Sequence, residues 1–176
     1  RIRSRLAGSA PEALERLAHL VGTLNSSIAL GRRIIEDLRP STLSNLGLAA
    51  TLEILAREFG ERSGVQVHCQ LQAVKLEANT ELVIYRVVQE AITNISKHAA
   101  ARQVWITLSA TDGQVEVSVR DDGIGFDTAV QRGSAYGLVG MRFRVEAEGG
   151  TLTLKSAVGQ GTLIQVRLPE SAQGTA

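Results

Sequence analysis

The order of hydrophobic patterns predicts an α/β sandwich, a mixed sheet covered by helices on one face and preceded by one long helix. Apolar residues recur three and four apart in some stretches and alternate in others, with glycine-rich turns between the two kinds. The resulting order is two helices, a strand, a helix, two strands, a loop, a helix and two strands. Taken as boundaries, this gives a helical part over 1–40, a globular domain over 41–170 and a disordered tail over 171–176.

The first helix covers residues 9–38. Ser9 and Glu12 have capping-box spacing, and Pro11 fits the first turn. Leu14, Leu17, Val21, Leu24, Ile28, Gly31, Ile35 and Leu38 form a sustained heptad seam, and Leu20 and Ile34 add a second stripe. A helix with two apolar edges suits a bundle, so a homodimer through 9–38 is favoured over packing on the chain's own domain. Pro40 stops this helix. The next helix carries Leu48, Leu52, Leu55 and Phe59 and ends at Gly64. Val65 to Leu71 alternates as a strand, which makes Cys69 a buried strand residue and His68 a surface or edge residue.

Glu81 to His98 is the stretch the domain is organised around. Ile84, Val88, Ala91, Ile92 and Ile95 form its apolar stripe. Glu90, Asn94 and Lys97 fall at i, i+4 and i+7 and stack along another face. Two strands follow, Val104-Ile106-Leu108 and Val115-Val117-Val119, with Thr111-Asp112-Gly113 turning between them. Trp105, on the face opposite Val104, is expected to pack under a neighbouring element. From Gly123 to Tyr136 no period holds, so a loop is expected, with about 124–135 as a mobile lid. A short helix from Leu138 to about Glu148 and strands through Leu152-Leu154 and Ile164-Val166-Leu168 complete the domain.

Composition narrows the function. In 176 residues, 44% are hydrophobic but only 3% aromatic, so the core must be aliphatic. A net charge of +1 without acidic or basic blocks argues against nucleic-acid binding by bulk charge. One cysteine excludes a disulfide framework and a cysteine-based zinc site within a single chain. No apolar run is long enough to cross a bilayer and no signal peptide is visible. The expected location is cytoplasmic, with origin as the cytoplasmic part of a membrane-bound sensor left open.

Neither G-x-x-x-x-G-K-[ST] nor G-x-G-x-x-G occurs, so the two commonest glycine-rich phosphate loops are absent. Glycines stand instead after a strand ending in acid, Asp121-Asp122-Gly123-Ile124-Gly125, and where a helix opens, Gly137-Leu138-Val139-Gly140-Met141. A carboxylate at a strand end can accept from an exocyclic amine, which separates adenine from guanine. Gly123 and Gly125 let backbone approach a flat base, and amides near Gly137 and Gly140 suit phosphate at a helix N-terminus.

With the Glu90-Asn94-Lys97 face upstream, these segments resemble the N, G1 and G2 boxes of the GHKL ATPase/kinase superfamily, in its order and approximate spacing. The sequence is most similar to sensor histidine kinases of the nitrate-sensor and DesK-like type, whose junction the Leu38-Arg39-Pro40 and Leu46-Gly47-Leu48 run also resembles. The resemblance implies a Bergerat ATP-binding fold with ATP and Mg²⁺ as cofactors. Asp121 is implied as the adenine-amine acceptor, supported by Thr162, and Asn94 as the Mg²⁺ ligand. Lys97 and His98 would face phosphate, beside Gly123, Gly125, Gly137, Leu138, Gly140 and Met141. Glu90 matches the N-box acid, which acts either as a base or by orienting the metal's water shell.

Tyr136 stands where the subfamily often has His, and Phe143 where it usually has Glu. None of His19, His68 and His98 is followed by an acid, so the acceptor histidine is expected upstream of Arg1. The implied partners are a second copy and a response regulator. A GHKL serine kinase of anti-sigma type is the alternative enzyme, and a non-catalytic nucleotide-binding dimerisation module the alternative outside enzymes.

Overall fold

The computed structural model describes residues 15–17, 20, 21, 24, 40–128 and 136–170. Of the expected helix over 9–38, residues 15–17, 20, 21 and 24 are helical. The rest of that helix, 129–135 of the expected lid and the 171–176 tail lie outside the described residues. The chain divides into two compact units, Arg1–Ser44 and Asn45–Ala176. No helix among the described residues is long and apolar enough to cross a membrane.

After the short helix α1 (Ser41–Leu46) come α2 (Leu48–Ser63), β1 (Gln66–Leu71) and α3 (Ala78–Asn94). A π-helical turn (Ile95–Ala99) extends α3 before β2 (Gln103–Thr111) and β3 (Gln114–Asp121). Helix α4 (Tyr136–Ala147), β4 (Thr151–Ser156) and β5 (Thr162–Pro169) close the fold. The sheet order is β1-β2-β3-β5-β4. β1 runs parallel to β2, as a strand–helix–strand connection allows, and the other pairs are antiparallel.

Alternation along the strands decides which face is covered. Val104, Ile106 and Leu108 of β2, Val115, Val117 and Val119 of β3, and Ile164, Val166 and Leu168 of β5 are all buried. Against that face lie Leu52 and Phe59 of α2, Ile84, Val88 and Ala91 of α3, and Met141 and Val145 of α4, all buried as well. Each large side chain removed from water in this way stabilises the fold by about 1.5–3 kcal/mol. Apart from Phe59 and Tyr85, the buried hydrophobic side chains among the described residues are aliphatic or Met141, in line with the low aromatic content.

Three expectations change. Cys69 is exposed, not buried. It is registered with Ile106 on the covered side, but β1 is the sheet's edge and shields its side chains poorly. Trp105 does not pack under a neighbouring element. It is flanked by its own register partners, His68 on β1 and Arg120 on β3. Its ring stacks on His68 with centroids 5.7 Å apart and planes at 15°, and the Arg120 guanidinium carbon lies 5.6 Å from its centroid.

The third change concerns Glu81 to His98, which is not one uniform α-helix. The ladder widens to a π-turn after Asn94. In such a turn, which takes more than four residues, the fourth residue after Asn94 returns nearest its direction and the third falls short. The straight line through Glu90, Asn94 and Lys97 therefore breaks at its last member.

Candidate functional site

The covered face ends in a cavity of about 370 Å³ within the larger unit. Helix α3 and its π-turn supply Asn94 and His98, β3 supplies Asp121, and the loop beyond it supplies Gly125 and Phe126. Gly137 and Leu138 of the first turn of α4, with Thr162 at the start of β5, complete the polar rim. Apolar walls come from Ala91, Ile95, Ala99, Val119 and Ile164. An apolar box with few convergent polar groups is the usual form of a small-molecule site.

Asp121 is 2% exposed. Its Oδ1 accepts the Gly123 N–H at 2.8 Å, and the Thr162 backbone N–H also donates to the carboxylate. Burial pushes its carboxyl above the usual range; the two N–H donors oppose that rise, and the charge of Asp122 adds to it. A buried carboxylate with two backbone donors retains acceptor capacity for a donor on a ligand. Its neighbour turns outward, where Asp122 Oδ1 accepts the N–H groups of Arg102 at 2.8 Å and Gln103 at 2.9 Å. Those bonds, the Gln103 one foremost, hold its carboxyl below the usual range and pin β3 to the start of β2.

Close backbone approach explains the glycines. A Cβ on Gly161 would run into the carbonyl of Asp121, and its φ of +70° is a region that other residues avoid. One on Gly125, at φ +57°, would meet the carbonyl of Ala157. The loop after β3 is also tied to the π-turn, because Ile124 N–H donates to the Ala99 carbonyl at 2.8 Å. At the other side of the cavity the Glu90 carboxylate lies against Gly137, in the space a Cβ would fill.

Among the residues singled out from sequence, Asn94, His98, Asp121, Gly125, Gly137, Leu138 and Thr162 line the cavity. Glu90, Lys97, Gly123, Gly140 and Met141 are not in its lining. Glu90 and Gly123 support lining groups, Lys97 is exposed on the π-turn, and Met141 is fully buried in the core. Among the described residues, no hydrogen bond engages the Asn94 amide.

Two residues escaped the sequence reading. Phe126 brings an aromatic ring to the wall, and Ser156 bonds the segments behind it. The only local signal for Ser156 is its place one turn before Gly161-Thr162.

Comparison with known proteins agrees with this geometry. The family described as histidine kinase-, DNA gyrase B-, and HSP90-like ATPase matches residues 79–172, which include the cavity's polar residues. Signal transduction histidine-protein kinase/phosphatase DegS of Brevibacillus brevis is 34% identical over 160 residues, 90% of this chain and 42% of that protein. Sensor histidine kinase MctS of Rhizobium johnstonii is 37% identical over 159 residues, 86% of this chain and 34% of its own length. The chain thus spans less than half the length of these curated relatives. The histidine kinase domain of the Erythrobacter litoralis blue-light activated histidine kinase superposes with a TM-score of 0.63 at 28% identity, covering 72% of this chain and 62% of that one.

The chain therefore belongs to the histidine kinase-, DNA gyrase B-, and HSP90-like ATPase family, and over most of its length it is similar to sensor histidine kinases.

Proposed function

We propose that this domain binds Mg·ATP in the cavity and positions its γ-phosphoryl for transfer to a histidine on a dimerisation helix, for onward transfer to a response regulator in the cytoplasm. The buried Asp121 carboxylate, aimed at a cavity walled by close backbone, is the observation that carries this reading. Adenine offers the exocyclic amine that such an acceptor needs, whereas guanine offers a carbonyl oxygen there. Val119, Ile164 and Phe126 would exclude water around the base.

The triphosphate would extend toward α4, where the Gly137 and Leu138 amides and the helix dipole favour anions. His98 stands on the same side of the π-turn as Asn94 and meets the phosphates first, with Lys97 reaching them only from the rim. The Asn94 amide oxygen is a hard donor with no hydrogen-bond partner among the described residues and would hold Mg²⁺. No group of three His, Cys, Asp or Glu able to hold a metal occurs among the described residues, which suits an ion bound mainly through phosphate. Bound there, the ion would neutralise charge on the phosphates. Glu90, packed against Gly137, would act near that end as a base or an orienting acceptor. In a full-length protein carrying the acceptor, Glu90→Gln should abolish transfer in the first case and leave most of it in the second.

None of His19, His68 and His98 is followed by an acid, so none of them is the proposed acceptor; a homodimer through residues 9–38 would hold two such domains together in the full-length protein that carries it. Equilibrium binding of ATP and GTP with Mg²⁺ tests the reading. ATP should be preferred, and Asp121→Ala should remove most of its affinity. Equal affinity of the unaltered protein for both nucleotides would overturn it.

A further inference from the structure

We propose that Ser156 is a positioning residue that fixes the hydrogen-bond polarity of Thr162, and so contributes to the choice of adenine over guanine. The inference rests on the reading of the cavity as an ATP site.

The Ser156 hydroxyl joins three segments far apart in sequence. The Phe126 N–H lies 3.0 Å from its Oγ, the Gly161 carbonyl 2.9 Å, and Thr162 Oγ1 3.1 Å. A hydroxyl has one proton and two lone pairs. The Phe126 amide can only donate and the Gly161 carbonyl can only accept, so the Ser156 proton goes to Gly161. One lone pair takes the Phe126 N–H. In the remaining contact Ser156 can then only accept, and Thr162 must donate.

Thr162 lines the cavity, and its single proton is spent on Ser156. Toward a ligand its oxygen offers lone pairs alone. Asp121, on β3, likewise offers an acceptor, and the Thr162 backbone N–H donates to that carboxylate. The polar end of the cavity thus presents acceptors from two strands, a pattern that suits the amine of adenine and repels the carbonyl oxygen of guanine. Ser156 itself is half-buried behind this wall and is absent from the cavity's lining, so it acts through Thr162 and Phe126.

Titration calorimetry with Mg·ATP and Mg·GTP on the unaltered chain, Ser156→Ala and Ser156→Thr tests the proposal. In Ser156→Ala the Thr162 proton is released to donate into the cavity. The preference for ATP over GTP should fall about tenfold, the equivalent of one hydrogen bond. Ser156→Thr keeps the hydroxyl and should restore the preference. A merely structural Ser156 would weaken both nucleotides alike and leave the ratio unmoved, and that result overturns the proposal. If Ser156→Ala does not fold, Ser156→Cys retains the volume with a weaker donor and acceptor, and an unchanged ratio there is equally decisive against it. Failure of the unaltered protein to prefer ATP would instead reject the ATP-site reading itself.

Discussion

The same strands carry polar residues on two sides of the molecule, and the two sets live under different rules. Around the cavity, Asp121, Ser156 and Thr162 meet backbone groups at fixed distances, and Asp121 is almost wholly removed from water. On the open face of the sheet, His68, Trp105 and Arg120 form a row across β1, β2 and β3, while Arg167 and Glu116 pair at 2.7 Å with side chains 61% and 35% exposed. Water can replace any partner on the open face. At Asp121, which is only 2% exposed, water is a poorer substitute, and an unmade bond costs more. Polar residues are therefore informative about function where burial forces their geometry.

Breaking the cavity wall should have the largest effect. Gly161→Ala forces a Cβ toward the Asp121 carbonyl and strains a positive φ, and should cost about 3 kcal/mol in denaturant unfolding. A change near zero would mean that the β3–β5 approach is looser than described.

Asp121→Asn sharpens the comparison, because it should separate stability from binding. Affinity for ATP should fall by about 1–3 kcal/mol, read by calorimetry, since the amide presents a donor where the amine needs an acceptor. Stability without nucleotide should move the other way. Burial raises the folded-state pKa of Asp121, so its contribution is fully present below the unfolded pKa and is lost as pH rises through the folded value. The asparagine variant should thus match the unaltered protein below about pH 4 and equal or exceed its stability at neutral pH. Asp122, held below the usual range, carries the opposite sign: its contribution exists above the unfolded pKa and disappears as pH falls through the folded value. Asp122→Asn should therefore weaken the fold at neutral pH and converge with the unaltered protein in acid.

Effects on the open face should be smaller. Trp105→Ala loses the stack on His68 and the contact with Arg120 and should cost about 1 kcal/mol, with ATP affinity unchanged. Arg167→Ala breaks an exposed pair and should cost at most about 0.5 kcal/mol. A loss of ATP binding in either variant would show that the two faces are coupled.

From Leu48 onward the sequence by itself determined the kinds of element and their order, because a period of two or of three to four is a local property that burial on one face imposes, whereas the six-residue helix Ser41–Leu46 is too short to show one. It also marked Asp121, Gly125 and Gly137 by their residue types at strand and helix ends, while Asn94 and Thr162 stand out through the family resemblance. Only the tertiary structure decided the rest. The π-turn directs His98 rather than Lys97 into the cavity, and no periodicity announces where a helical ladder widens. Cys69 alternates like a core residue, yet an edge strand leaves it exposed, and strand order is a long-range outcome. The direction of the Thr162 hydroxyl depends on Phe126, Ser156 and Gly161 meeting at one point, which chain closure alone brings about.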